Sequence, residues 1–395
     1  MATLLVIIYI AFISLGLPDS VLGGAWPVMR ADLGAPVQMA GYLAMVISAG
    51  TVVSSLMSNR LTSRFGTGKV TVASVMMTAL ALMGFALAPS AWILFLLAIP
   101  MGLGAGSVDA ALNNFVALHF AARHMNWLHC FWGIGATAGP MILTAQLAAG
   151  NGWRGGYWVI AIIQGALAVA LFITLPLWRK NQGMAQSDDV ETAYITNREA
   201  LRLPGIGMAL AAFVFFCAVE LTGGLWGASY LSDTLGMTAI EASRVSSLYY
   251  GAITVGRLIS GFVSQKLNDT QLIRAGQILC ILGALITIFA HSAQVAMWSI
   301  ALIGLGTAPI YPAMLHETPR RFGAQNSQAV IGLEMAFAYV GNVCFPSLFG
   351  ALAGWTSTAL YPWFLLICAA AMWACSEGVQ RQIRRRNSNQ PANFS

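Results

Sequence analysis

Charge is what this chain has least of. Only 9% of its 395 residues are Asp, Glu, Lys or Arg, and 58% are hydrophobic; a soluble globular chain is about 25% charged. No fold of this size hides so much apolar surface from water, so a soluble domain is excluded and lipid is the solvent. Cysteine is sparse as well. Cys130, Cys217, Cys280, Cys344, Cys368 and Cys375 all fall in apolar runs with no CxxC spacing. They read as small buried hydrophobes, and neither a zinc site nor a disulfide framework is expected. Of the five histidines (His119, His124, His129, His291 and His316) only the first two are close in sequence, and they lack acidic companions, so no metal site is expected. There is no Walker-type lysine loop, and the glycine-rich GLGAG at 102–106 sits inside an apolar run and follows no strand, which argues against a nucleotide site. Ten-residue segments of alternating polarity are missing too, which argues against an outer-membrane barrel. The first residues carry no basic segment and no small-residue cleavage site before the apolar run continues; they are expected to form a retained helix, not a cleaved signal.

What fills the chain is long uncharged sequence. Between Lys69 and Arg123 lie 53 residues with Asp109 as the sole formal charge, and Arg274–Glu317 and Glu334–Glu377 each bracket 42 uncharged residues. A spanning helix needs about 20 apolar residues, so each interval holds two. Dividing at charges and turn residues predicts twelve spans, at 3–27, 37–58, 69–88, 91–118, 126–149, 155–177, 205–231, 241–265, 271–290, 293–315, 326–352 and 358–377. The fold class is an all-α membrane protein of two six-helix bundles, 1–178 and 205–378, joined by a polar linker at 179–204 and followed by a basic tail at 379–395.

Orientation follows from Lys and Arg in the loops. With the N-terminus cytoplasmic, 16 of the 20 basic residues fall on the cytoplasmic side and only Arg30, Arg154 and Arg244 outside, with Arg257 inside a span. Both termini are therefore expected in the cytoplasm of a bacterial-type inner membrane. This placement also explains the net charge of +6 without a nucleic-acid partner. The expected partners are the bilayer and a small molecule, and the chain is expected to be a monomer.

The halves resemble one another. GGAW at 23–26 matches GGLW at 223–226, Gly102-Leu103-Gly104 matches Gly304-Leu305-Gly306, and NRL at 59–61 matches QKL at 265–267. Parallel six-helix repeats are a transporter design, with the binding site between the halves near the midplane.

Asp19 and Asp109 stand inside these apolar stretches, and Glu220 does so in the second half. A charge near the bilayer centre is costly, and such residues line cavities, ion paths or proton relays. Taking a carboxyl out of water favours its protonated form, the physical requirement for carrying a proton; the competing reading is a structural carboxylate bonded across helices. Helical spacing puts Asp19, Gly23 and Trp26 on one stripe, and Gly102, Gly106, Asp109 and Asn113 on another. Arg257 and Glu334 are expected to form a buried ion pair with a structural or gating role. Trp153 and Trp178, near helix ends, read as interfacial belt residues.

A six-plus-six repeat with the basic loop SSLMSNRLTSRFGTGK after the second span resembles the major facilitator superfamily, although the loop lacks the usual aspartate. Asp19, GLGAGSVDAALNNFV and NWLHCFWGIGATAGP are most similar to the fucose permease branch of sugar–proton symporters. In that branch a glutamate is typical where Asp109 stands, and His129 falls near a sugar-binding glutamine. The resemblance implies proton-coupled sugar uptake by alternating access, with no cofactor beyond the proton and no catalytic residues. Sugars need flat apolar faces and amides or carboxylates for their hydroxyls; the candidates are Trp26, Asn113, Asn114, His129, Trp132, Gln164, Trp226, Tyr230, Tyr249, Tyr311 and Asn342. The alternatives are a proton-driven exporter of drugs or metabolites using the same acids and, in another class, a non-transporting receptor or scaffold.

Overall fold

In lipid every backbone N–H and C=O must be satisfied within its own segment, and helices do this. The computed structural model describes residues 2–119, 122–181, 197–264, 266–323 and 326–389. The N-terminal half comprises α1 (Ala2–Asp19), α2 (Val21–Leu33), α3 (Met39–Phe65), α4 (Thr67–Leu87), α5 (Ala91–His119), α6 (Ala122–Ala148), α7 (Gly152–Ile173) and α8 (Leu175–Asn181). A short α9 (Asn197–Ala200) precedes the C-terminal half, which comprises α10 (Ile206–Leu235), α11 (Ala239–Val263), α12 (Asp269–Ile288), α13 (Ala293–Thr307), α14 (Ile310–Phe322), α15 (Ser327–Trp355) and α16 (Tyr361–Asn389). All twelve expected spans are helical. Among the described residues ten passes are long and apolar enough to cross a membrane; α6 and α11 are as long but more polar.

Three spans depart from expectation. The first is broken at Ser20 into α1 and α2, because Pro18 lacks an N–H and its ring crowds the preceding turn; the pass extends to Leu33. The tenth is broken between Thr307 and Ile310, where Pro309 caps α14. The last does not end at 377: α16 continues to Asn389, so residues 379–389 of the expected tail are helical, as its Gln and Arg residues, good helix formers with no proline among them, allow. Residues 182–196 of the expected linker lie outside the described residues.

Glycine brings the helices within backbone contact. On the α1–α6 crossing, a Cβ on Gly16 would strike the Trp132 carbonyl, and one on Gly135 or Gly139 would strike the carbonyls of Ile13 and Leu17. On the α3–α5 crossing, Gly102 and Gly106 lie against the carbonyls of Ile47 and Thr51. Without a hydrophobic drive between helices in lipid, such close approach supplies the packing energy.

The halves meet at the end of the molecule where α2 stops on Gly34 and α10 stops on Gly236, both left-handed at φ 60° and 68°. Gly23 packs on the backbone of Gly224 and Leu225, and Gly41 on that of Pro346 and Ser347. Arg30 pairs with Asp233, Thr144 and Ser243 share a hydrogen bond of 2.7 Å, and the Ser347 hydroxyl donates to the Gly41 carbonyl at 2.9 Å. At the opposite end polar contacts knit the C-terminal half to itself. Arg274 grips Glu377 through two bonds of 2.6 and 2.9 Å, and Arg321 pairs with Glu317 at 2.6 Å.

A matched pair of substitutions tests the glycine crossing. Gly135→Ala forces α1 from α6 and destabilises the protein by about 3 kcal/mol, read as a lowered melting temperature in detergent. Gly165→Ala, which meets open space, leaves it unchanged or raises stability by up to about 1 kcal/mol.

Candidate functional site

The break after Asp19 puts that carboxylate at the end of α1, near the middle of the pass Thr3–Leu33. Asp19 is exposed there, although its depth in the pass is that of the bilayer centre. Its Oδ2 accepts a hydrogen bond from the Trp132 Nε1–H at 2.8 Å. The same indole lies under the Arg257 guanidinium, 5.4 Å from ring centre to Cζ, within cation–π range. Arg257 in turn donates to Glu220 Oε1 at 3.4 Å, with the two side chains 20% and 15% exposed. Four side chains from α1, α6, α11 and α10 thus form one chain across both halves: acid, indole, cation, acid. Tyr249 braces its far end, donating to the Glu220 carbonyl at 2.8 Å, and Tyr250 meets Trp132 edge-on at 6.5 Å.

Asp19 and Glu220 occupy equivalent places. They are 201 residues apart, one more than the shift of 200 that superimposes GGAW on GGLW, and each sits near the midpoint of the first pass of its half. Their surroundings differ. Glu220 has Arg257 beside it, whereas Asp19 has a neutral N–H donor and, among the described residues, no ion pair. Asp109 lies within electrostatic range of Asp19 and of Tyr311 and Tyr339 across the seam. It accepts from the Asn113 amide at 2.9 Å and likewise forms no ion pair among the described residues.

The structure separates the expected residues into two groups. Asp19, Asp109, Asn113, Trp132, Glu220 and Arg257 come together, and His129, exposed and edge-on to Phe12, lies within electrostatic range of Arg257. Tyr311 is half-buried between Phe213 and Phe216 with its hydroxyl toward Met335. Asn342 is half-buried on α15, and the side chain of Asn114 lies outside the described residues. The others are framework. Trp26 and Trp226 are fully buried and donate to the carbonyls of Val37 and Pro346, both at 2.9 Å. Gln164 clasps Ser14 through two bonds of 2.6 Å. Tyr230 stacks on Tyr361 and donates to the Thr287 carbonyl, and Tyr249 is fully buried in its brace.

Three readings are corrected. Arg257 does not pair with Glu334: it turns toward Glu220 on the adjacent helix, while Glu334 is buried on α15 and accepts from Thr318 at 2.8 and 3.1 Å. The stripe from Asp19 through Gly23 to Trp26 is interrupted, because the break at Ser20 turns α2 against α10. Trp153 and Trp178 do not face lipid as belt residues. Trp153 is buried donating to Asp32 at 3.0 Å, and Trp178 is buried against Phe115. Tyr250 and the true partner of Arg257 went unread; the 201-residue offset between Asp19 and Glu220 was the available signal.

The chain matches the model of a family described as the Major Facilitator Superfamily over residues 8–207 and 208–392. It is similar to a glucose/galactose transporter of Brucella abortus, 26% identical over 63% of this chain and 62% of that one. It is similar to a cis,cis-muconate transport protein of Acinetobacter baylyi, 22% identical over 88% of this chain and 86% of that one. Among solved structures it superimposes on a D-xylose–proton symporter with TM-score 0.72 at 12% identity, covering 95% of this chain and 98% of the other, a likeness of fold.

A double-mutant cycle checks the ion pair. Arg257→Met strands Glu220 and costs about 3 kcal/mol in thermal unfolding, and adding Glu220→Gln recovers most of the loss. Arg257→Met combined with Glu334→Gln is additive to within about 0.5 kcal/mol.

Proposed function

The chain belongs to the Major Facilitator Superfamily, and on that premise we propose that it is a secondary active transporter that takes up a sugar or related polar small molecule together with a proton, by alternating access. The reading is carried by one observation: Asp19 is exposed at mid-depth and bridged to the other half, yet among the described residues has no cation paired to it, while its counterpart Glu220 is neutralised by Arg257. A carboxylate of this kind in a low-dielectric interior is the group whose charge a proton most readily cancels. Asp109, within electrostatic range and also without an ion-paired cation, shares the titration, since interacting acids lose protons as a pair. Trp132, Asn113 and His129 supply the flat face and polar edges for a sugar. Relatives named for glucose and galactose support that cargo, in agreement with the resemblance to the fucose permease branch.

The basic loops orient the protein in a bacterial-type inner membrane with both termini in the cytoplasm. In that orientation the sealed end, with Arg30–Asp233 and the Gly23–Gly224 contact, faces outside, and the site opens inward. Rocking the halves about the Trp132–Arg257 contact exchanges the sealed end.

A second reading, transport of an organic anion, has its own support. Arg257 holds Glu220 through one bond of 3.4 Å, so an incoming carboxylate can take its place, and one relative is named for muconate.

Reconstitution decides between them. Proteoliposomes under a pH gradient accumulate one labelled neutral sugar. Asp19→Asn or Asp109→Asn abolishes accumulation while exchange across the membrane continues, and Trp132→Ala slows both by about tenfold or more. Accumulation of a dicarboxylate instead, lost in Arg257→Gln, establishes the anion reading.

A further inference from the structure

Over the seam between the halves the surface carries a groove of about 990 Å³, walled by α6 on one side and by α11 and α13 on the other. Its walls run Thr137–Ala148, Arg244–Val255 and Gln294–Leu305. Each wall advances eleven residues, about 16 Å at 1.5 Å per residue, which is half of a hydrocarbon core about 30 Å thick. The groove therefore begins at one membrane surface and stops near the midplane. It opens sideways to lipid: Met141, Val255 and Trp298 line it and are 59%, 51% and 59% exposed.

Polarity is graded along its length. At the surface end stand Glu241, Arg244 and Gln294, and deeper come Leu248, Met297 and Leu302. Glu241 and Arg244 are one helical turn apart and within electrostatic range, both exposed. They present a negative and a positive group side by side. One further turn down, the Ser247 hydroxyl lines the groove, buried and with no hydrogen-bond partner.

We propose that this groove seats one phospholipid with a phosphoethanolamine headgroup. The phosphate lies on Arg244 and the ammonium on Glu241. An ester oxygen accepts from Ser247, and an acyl chain follows the wall to Val255 and Leu305. Length, charge order and the unpartnered hydroxyl fit the successive parts of one such molecule. A lipid held here touches both halves, so it is bound where the seam is closed and favours the sealed arrangement; this holds whatever the cargo is.

Native mass spectrometry of the delipidated protein tests this, titrating phosphatidylethanolamine, phosphatidylcholine and phosphatidylglycerol of identical chains. The expected result is one tight adduct with the ethanolamine lipid, weaker adducts with the others, and a higher melting temperature on its addition. Arg244→Ala weakens the adduct about tenfold or more, as loss of a charged hydrogen bond does. Glu241→Gln, which keeps the helix cap with Thr238, removes the preference over the choline lipid. Ala145→Trp, at an exposed position in the groove, abolishes the tight adduct for all three, with the variant's own unfolding transition showing that it is folded. Equal adducts with all three lipids in the parent protein overturn the headgroup assignment. An adduct unchanged in Arg244→Ala and Ala145→Trp, or no tight adduct in the parent, overturns the site.

Discussion

A guanidinium near the middle of a bilayer has to be neutralised, and much of this structure follows from how Arg257 is accommodated. One face lies on the Trp132 ring and one N–H reaches Glu220. The first contact crosses the seam and the second stays within the C-terminal half. The cation therefore does two things at once. It cancels the acid of its own half, and it holds α11 against α6 through a ring whose N–H is spent on Asp19. Pulling the halves apart at this level exposes a cation and an indole together and frees Asp19 from its donor. The chain of four groups is a mechanical link as well as an electrostatic one.

The same contact explains why α6 and α11, among the long described helices, lack a continuous stretch apolar enough to be read as a membrane pass. They are the helices that face each other across the seam, and they present polar groups to one another: Trp132 to Arg257, Thr137 to Thr254 and Thr144 to Ser243. A pair of surfaces that separates and re-forms, as the proposed alternating access requires, cannot be a greasy core, since each separation would expose it to water. Small residues and hydroxyls let the surfaces approach closely without that cost. Gly133 against Thr254, and Gly251 against Thr137, show the fit. The crossings within one half, α1 with α6 and α3 with α5, set glycine against backbone.

The helical architecture was legible in the sequence because lipid simplifies the problem: apolar run length fixes the passes. Even so, the breaks at Pro18 and Pro309 were not read, although proline inside an apolar run is the local signal for them. The site was half legible. Isolated acids were visible because a charge in an apolar run needs a reason. Aromatics were not separable, since Trp132 and Trp226 look alike in sequence and only packing sends one to the seam and the other into the core. The mispairing of Arg257 with Glu334 came from matching charges by span without depth. α10 packs against both α11 and α15, and its Glu220 is the acid that reaches Arg257.

Duplication has left two acids in equivalent places and one cation between them. If both had a cation, both would be permanently charged and neither would respond to protons. If neither did, two bare carboxylates would face each other across a low-dielectric gap. One Arg resolves this asymmetrically. Glu220 is held in a charge pair, and Asp19, bonded through the Trp132 N–H and without an ion pair among the described residues, is the acid to which the proposed proton coupling is assigned. The bond that positions Asp19 comes from the ring that also carries the cation. In the transporter proposed above, a change in the charge of Asp19 is felt at the contact holding the halves together, which is the physical form that the proposed coupling of proton to conformation takes.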